Sequence, residues 1–222
     1  AALERLEKGE PLAYVVGKVA FGPLVLRMMP GVFIPRPETE EWVHSVVQKL
    51  RSAPPRTVLD IGTGSGGIAL YLAYAFPSAE VYAVDVNPLA LHCAEENARS
   101  LDLKVHFARC RVGKQPFPSS WPRVWDLIVS NPPYIPWEFW AHTDAHVRLV
   151  EPPEALFASD FSLYKAIASL ASCYLSNVGL CVVEIFPESS AKILDIFSHY
   201  GLSAHLCTDS FQRPRWVEAW RG

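Results

Sequence analysis

An α/β fold built on a doubly wound, seven-stranded, mostly parallel sheet is predicted for this chain by three observations. From Thr57 onward, short apolar runs alternate with segments of helical periodicity. The glycine-rich run Asp60-Ile61-Gly62-Thr63-Gly64-Ser65-Gly66-Gly67 stands where a first strand turns into a helix, and an acid, Asp85, closes the next strand.

The elements follow in order. Residues 3–8 read as the tail of a helix closed by Gly9, an abrupt start that suggests a segment upstream. Residues 14–21 and 24–28 flank Gly22-Pro23 and read as a β-hairpin. Three prolines exclude regular helix from 30–37, whereas 38–50 carries Trp42, Val43, Val46, Val47 and Leu50 at helical spacing behind an acidic first turn. The alternation then runs strand 57–61, helix 67–75, strand 80–84, helix 88–100 and strand 104–108. Strand 126–130, helix 161–176, strand 180–185, helix 189–200 and closing strands 203–207 and 216–220 complete it. Trp216 and Trp220 read as sheet core. Two units are expected: a hairpin with a proline-rich linker over 1–37, and a main domain over 38–222. The loops 116–122 and 135–153 are long and proline-marked, which in a compact domain points to function.

The 222 residues, 50% hydrophobic and 19% charged, suffice for one well-filled core. Twenty basic against 23 acidic residues leave a formal charge of -3, so no global positive field argues for nucleic acid or anionic lipid. Five cysteines without a CxxC pair favour a reducing compartment and read mostly as small buried residues. No apolar run reaches membrane-span length, so no membrane association is expected. A monomer is expected.

Chemistry concentrates at two motifs. Asn131-Pro132-Pro133-Tyr134 follows the apolar run Leu127-Ile128-Val129. The Asn131 amide oxygen and the Pro132 carbonyl can each accept a hydrogen of a planar NH2 group, while the Tyr134 face covers the attached π system. Taken alone the motif is equally a strand terminator, because Asn-Pro opens turns. The glycine run also satisfies GxGxxG at Gly62, Gly64 and Gly67, which by itself is weak evidence for a dinucleotide. Asp85 suits ribose hydroxyls in either a dinucleotide or an adenosyl ligand. A dehydrogenase needs a proton donor beside its hydride site, and no histidine or Tyr-Lys pair stands in the corresponding loops. A methyl donor needs only alignment with a nucleophile.

Together with Pro11 to Gly17, Ile34-Pro35-Arg36-Pro37-Glu38-Thr39-Glu40 and Ala83-Val84-Asp85, these motifs make the chain resemble the S-adenosylmethionine-dependent methyltransferases. More narrowly, it is similar to the HemK/PrmC family of release-factor glutamine N5-methyltransferases over nearly its whole length. The resemblance implies a Rossmann-like methyltransferase fold with the last strand antiparallel, and methyl transfer from S-adenosylmethionine, leaving S-adenosylhomocysteine, to the Gly-Gly-Gln glutamine of a peptide-chain release factor. It places the cofactor on Asp60, Gly62, Thr63, Gly64, Ser65, Gly66, Asp85, Val86, Arg111, Val112 and Asn131, and the glutamine on Asn131, Pro132, Pro133 and Tyr134. The Pro-Arg-Pro-Glu-Thr segment is expected to shape the cofactor pocket and separates this family from amino methyltransferases of DNA that share the clamp. The family also has a helical domain ahead of the hairpin, of which only the last turn, around residues 3–8, is expected here.

Departures accompany the likeness. Cys110-Arg111-Val112 stands where the family usually has Gly or Ser followed by Asp, so a base replaces an acceptor for the adenine amino group. Glu184-Ile185-Phe186 replaces Glu-Ile-Gly, and Gln212 stands where glycine is common. They suggest a divergent member, of a mitochondrial branch in the matrix if eukaryotic and otherwise cytoplasmic. Two alternatives remain at this point: a nucleic-acid amino (adenine N6-type) methyltransferase, disfavoured by the acidic balance, and a weakly active cofactor-binding partner protein.

Weaker signals are expected to be structural. His142 and His146 have i, i+4 spacing but lie in a proline-flanked loop without the Glu of HExxH, so no metal is expected. Arg148 and Glu151 are expected to be solvated or to face substrate. Trp137, Phe139 and Trp140 are read as packing, with a peptide-binding wall as the alternative. His44, His92, His106, His199 and His205 show no partner in sequence.

Overall fold

The computed structural model describes residues 2–137, 151–158 and 160–222. In chain order the elements are α1 (Ala2–Glu7), α2 (Leu12–Val16), β1 (Lys18–Phe21), β2 (Leu24–Arg27), α3 (Pro37–Leu50), β3 (Thr57–Ile61), α4 (Gly67–Ala75), β4 (Glu80–Asp85), α5 (Pro88–Leu101), β5 (His106–Arg109) and β6 (Trp125–Ser130). They continue with β7 (Ile135–Pro136), α6 (Pro153–Leu156), β8 (Phe157–Ala158), α7 (Ser162–Tyr174), β9 (Leu175–Glu184), α8 (Ser190–His199), β10 (Leu202–Thr208) and β11 (Pro214–Arg221).

The main sheet has seven strands in the order β10-β11-β9-β6-β3-β4-β5. Strands β5, β4, β3, β6 and β9 pair in parallel, and β11 runs antiparallel to both β9 and β10. The central strands are apolar almost throughout because both faces are covered. On one face Leu59, Ile61, Ile128 and Val183 pack with Ile167 of α7 and Phe197 of α8. On the other, Val58, Leu127, Val129 and Val182 pack with Trp42, Val46, Ile68 and Leu72. Each fully buried aliphatic side chain stabilises the fold by roughly 1.5–3 kcal/mol.

Helix α4 is buried along nearly its whole length because a second layer covers it: Phe21 and Leu26 of the β1–β2 hairpin share its cluster. The hairpin register pairs Phe21 with Leu24. The residues expected to open its first strand do otherwise. Residues 12–16 form α2, which Gly17 ends in the left-handed region at φ 73. Tyr14 lies buried beneath Val32, whose carbonyl accepts its hydroxyl at 2.6 Å, and this long-range contact overrides the local β preference of Tyr-Val-Val.

Three further differences have local causes. Strand β9 starts at Leu175, directly after α7, because Trp125 of β6 pairs with Leu175. The ends of the expected 135–153 loop are ordered: Ile135 pairs with Phe157 in a two-residue parallel ladder, and 153–156 form a helical turn. Trp216 is core, but Trp220 is 38% exposed, at the far end of β11. Of the cysteines, Cys93, Cys110 and Cys181 are buried, Cys207 is half-buried and Cys173 is exposed, all as free thiols.

Candidate functional site

Strand register brings the two motifs together. Ile61 of β3 lies opposite Val84 of β4 on one side and Ser130 of β6 on the other, and Ser130 lies opposite Val183 of β9. The next residue on each strand is therefore Gly62, Asp85, Asn131 and Glu184, aligned along one carboxyl rim. Strand order reverses between β3 and β6, so the glycine turn and the Asn-Pro-Pro-Tyr segment leave neighbouring strands about 5 Å apart at the topological switch point. Ser130 ties them by donating its hydroxyl to the Ile61 carbonyl at 2.7 Å.

The glycine turn is held by its backbone. Gly62 N and Thr63 N donate to the Val84 carbonyl at 2.8 and 3.0 Å, and Gly66 N donates to the Thr63 carbonyl at 2.8 Å. Gly62 and Gly64 take positive φ of 76 and 56, and a Cβ on either would meet nothing within 4 Å, so the space over the turn is open to a ligand. Asp85 braces the turn: its Oδ2 accepts from Gly64 N and its Oδ1 from Asn87 N, each at 2.9 Å. Burial pushes the Asp85 carboxyl up, opposed by these N–H groups.

Beneath the turn, Asp60 is fully buried and accepts from Thr63 Oγ1 at 2.7 Å and Ala69 N at 3.2 Å, both through Oδ2. Among the described residues its Oδ1 and the Ser65 hydroxyl have no partner. Burial raises the Asp60 carboxyl to about 7. The sequence reading missed Asn97, which α5 carries on its buried face. Its amide nitrogen donates to the Ser65 carbonyl at 2.9 Å and the Arg27 carbonyl at 3.0 Å, while its oxygen accepts from Arg27 N at 2.7 Å. A polar residue in the buried series Ala90, Cys93, Ala94, Asn97 was the available signal.

The segment after β5 reaches the same rim, with Cys110 N donating to the Asp85 carbonyl at 3.1 Å. Arg111 is exposed there and its N–H donates to Gln115 Oε1 at 2.9 Å, while Val112 is buried. Val86 is 40% exposed, and its carbonyl accepts from Arg109 Nε at 3.0 Å.

The Asn-Pro-Pro-Tyr segment is anchored from behind. Asn131 Nδ2 donates to Thr39 Oγ1 at 2.9 Å, and Thr39 donates to Glu184 Oε2 at 2.7 Å. Trp42 Nε1 donates to the same Oε2 at 2.8 Å, and the Tyr134 hydroxyl donates to Oε1 at 2.9 Å. Among the described residues nothing donates to Asn131 Oδ1. Burial pushes the Glu184 carboxyl up, opposed by the three donors and by the Arg215 charge. Phe186 lies parallel to the Tyr134 ring, 6.5 Å between centroids and 19° between planes, within the range of offset stacking. Tyr134 is thereby fixed at both its hydroxyl and its ring.

The Pro-Arg-Pro-Glu-Thr segment does two jobs. It supplies Thr39 to this network, and its Arg36 pairs with Glu151, whose other oxygen accepts from Ile34 N at 3.2 Å. Glu151 is 3% exposed, so it is neither solvated nor substrate-facing: the Arg36 guanidinium makes its burial tolerable. His44 has a partner after all, Tyr71, with Nδ1 2.8 Å from the hydroxyl, and His106 stacks on Tyr82. Trp137 stacks on Phe157 at 5.1 Å. Phe139, Trp140, His142, His146 and Arg148 lie outside the described residues, and among those described no cluster of three metal-ligating side chains occurs.

An open, glycine-lined turn over a buried carboxylate, an acid at the end of the neighbouring strand and a switch-point cleft define a nucleotide-cofactor-dependent α/β enzyme, and the fold narrows the class. The structure superposes on a ribosomal protein L11 methylase from Lactobacillus delbrueckii subsp. bulgaricus with TM-score 0.61 at 21% identity, covering 88% of this chain and 84% of that one. It superposes on a methyltransferase from Pyrococcus furiosus with TM-score 0.62 at 15% identity, covering 98% and 95%. At these identities the likeness establishes the Rossmann-like methyltransferase fold. A family model, Methyltransferase small domain, matches residues 25–159. The chain is an S-adenosylmethionine-dependent methyltransferase.

Its sequence relatives are more specific. It is 39% identical over 237 aligned positions to the release factor glutamine methyltransferase of Mycolicibacterium smegmatis, covering 100% of this chain and 80% of that protein. It is 36% identical to the enzyme of the same name from Deinococcus radiodurans, covering 99% and 78%. The chain belongs to the release factor glutamine methyltransferase family. Both organisms are bacteria, so neither relative supports the mitochondrial branch suggested by the departures. Among the described residues no helix is long and apolar enough to cross a membrane.

Proposed function

We propose that this enzyme methylates the side-chain amide nitrogen of the glutamine in a release factor's Gly-Gly-Gln loop, with Asn131 to Tyr134 receiving the carboxamide and the 60–66 turn, Asp85, Val86, Arg111 and Val112 lining the cofactor site. The observation that carries the reading is Asn131 Oδ1: its partner nitrogen is committed to Thr39, nothing among the described residues donates to the oxygen, and Asn131 follows Ser130 on the strand beside the one that leads into Gly62.

When bound, S-adenosylmethionine supplies a methyl group on a positively charged sulfur that leaves as a neutral thioether. The residues that would hold it fit. Asp85 already points both carboxylate oxygens along the rim, where their remaining lone pairs suit ribose hydroxyls. The space over Gly62 and Gly64 admits a ligand against the backbone, and beneath the turn Asp60 Oδ1 has no hydrogen-bond partner among the described residues.

A carboxamide nitrogen is a weak nucleophile because its lone pair is delocalised into the carbonyl. Asn131 Oδ1 and the Pro132 carbonyl, the two acceptors of the clamp, would take its two hydrogens and turn the lone pair toward the cofactor side. The Tyr134 ring would cover the amide plane and exclude water. As the nitrogen gains its methyl group it becomes acidic, and the acceptors already on its hydrogens stabilise the developing positive charge until one proton leaves to solvent. Orientation of this kind contributes on the order of 7–11 kcal/mol when the reacting atoms are held near contact. No general base is required.

The test offers release factor, its Gly-Gly-Gln loop peptide, DNA and RNA separately to the enzyme with methyl-labelled cofactor. Labelling of release factor at the glutamine is expected. Labelling of nucleic acid alone would reject the reading, and cofactor binding without labelling of any substrate would favour the weakly active partner protein.

A further inference from the structure

The two ends of an asparagine amide have nearly the same shape but opposite polarity, so something must decide which end meets the substrate. Here that decision lies two hydrogen bonds behind the clamp. Trp42 Nε1 can only donate, and it lies 2.8 Å from Glu184 Oε2, so an acceptor is required at that position. The Thr39 hydroxyl gives its one hydrogen to the same oxygen at 2.7 Å. Having done so it can only accept in its remaining directions, and it accepts from Asn131 Nδ2 at 2.9 Å. A reversed Asn131 would set its oxygen against Thr39 lone pairs. Tyr134 donates to the second oxygen of Glu184 at 2.9 Å, so the protons of Thr39, Trp42 and Tyr134 all point to one carboxylate. Trp42 and Glu184 are 0% exposed and Thr39 is 3% exposed, which leaves no water to rearrange these bonds.

We propose that Glu184, pinned by Trp42 and acting through Thr39, is a positioning residue that fixes Asn131 with its oxygen toward the substrate, and that the site thereby selects a carboxamide or amino nitrogen over a carboxylate. The inference rests on the reading that Asn131 Oδ1 receives the substrate amide. An ionised glutamate in place of the target glutamine would bring oxygen against oxygen. Selectivity for the amide is then set from the interior of the fold, by residues on α3 and β9 that do not touch the substrate.

Thr39→Val keeps the shape of the side chain and deletes the link. Three readouts on the whole chain separate positioning from structure: single-turnover methyl transfer to the glutamine peptide at saturating cofactor, cofactor affinity by titration, and inhibition by the same peptide with glutamate at the target position. Turnover is expected to fall on the order of 10- to 100-fold, the effect of one unpaired or misdirected hydrogen-bonding group, with cofactor affinity unchanged. The glutamate peptide is expected to inhibit the variant at lower concentration than it inhibits the wild type, because a freed Asn131 can present its NH2. Thr39→Ser, which restores the hydroxyl, is expected to return all three readouts toward wild type.

If Thr39→Val does not fold, Glu184→Gln is compared with and without Trp42→Phe. The tryptophan donor holds the glutamine oxygen in place, so the double variant is expected to lose far more turnover than the product of the two single effects. Wild-type turnover in Thr39→Val, parallel loss of turnover and cofactor affinity, or simple multiplication of effects in the double variant would overturn the relay. Wild-type turnover in Asn131→Ala would instead sink the reading of the clamp on which it rests.

Discussion

The glycine turn and the Asn-Pro-Pro-Tyr segment sit side by side on one rim yet are built in opposite ways. The turn is assembled almost entirely from its own stretch of chain and the strand next to it: Val84 and Asp85 of β4 hold its N–H groups, and Asp60 and Thr63 brace it from within. The clamp takes its orientation from distant chain. Thr39 and Trp42 come from α3 and Glu184 from β9, separated from Asn131 and Tyr134 by dozens of residues. A site that admits a cofactor against bare backbone needs glycine and a short turn, whereas a site that must present one end of an amide needs directional partners on several sides. The first can be local. The second requires a folded interior.

That contrast is sharpened most by Asn131→Ala. Turnover is expected to drop on the order of 10²–10³-fold, the effect of removing one preorganised polar group, with cofactor affinity by titration nearly unchanged. Gly64→Val should do the reverse. A side chain over the turn would fill the space proposed for the cofactor and is strained by about 1–2 kcal/mol at φ 56, so cofactor affinity should fall about tenfold or more and the melting temperature should drop. Equal effects on affinity and turnover in both variants would erase the division of labour.

Acid–base behaviour gives a smaller effect. The folded Asp60 carboxyl, raised to about 7, lies above its unfolded value near ~3.9, so between these values the folded protein holds a proton that the unfolded chain has released. Stability of the ligand-free enzyme is therefore expected to fall as pH rises through this window, by at most roughly 1.4 kcal/mol per pH unit from this group. Asp60→Asn should flatten the slope in urea titrations at pH 5, 6 and 7. Glu184, also raised by burial, acts with the same sign in both proteins, whereas the Asp85 charge helps to raise Asp60 and so contributes to the difference.

The smallest effect concerns the β10–β11 turn. Gln212 has φ 62, in a turn organised by the buried Asp209, which accepts from Phe211 N and Arg213 N at 2.9 Å each. Gln212→Gly relieves left-handed strain of about 1–2 kcal/mol and partly offsets it by loosening the unfolded chain, so the melting temperature should rise by a few degrees with turnover unchanged.

Much of this was legible in sequence for physical reasons that can be named. Strands 57–61 and 126–130 and helix 67–75 were readable because two-sided burial demands continuous apolar runs. The glycine turn was readable because positive φ and an open backbone leave few residue choices. Residues 14–16 misled because a β-branched pair after tyrosine favours strand locally, while the Tyr14 hydroxyl is captured by Val32 in the folded chain. Glu151 misled because an acid in a polar loop reads as solvated, and its partner Arg36 lies 115 positions away. Long separation also hid the partners of Asn97, 70 and 32 positions away, and the pairing of Trp42 with Glu184, 142 apart, although an acid inside Cys-Val-Val-Glu-Ile and an asparagine on an apolar helix face each announced a buried group in need of partners.

By itself the sequence determined the sheet, the place of the glycine turn and the residue types of the Asn-Pro-Pro-Tyr segment, because periodicity, backbone sterics and hydrogen-bonding inventory act over a few neighbouring positions. Only the tertiary structure decided which way Asn131 faces and which acid stands behind it. A hydrogen bond's direction depends on partners that meet only when strands and helices far apart in the chain close on one another and exclude the water that would otherwise satisfy either orientation.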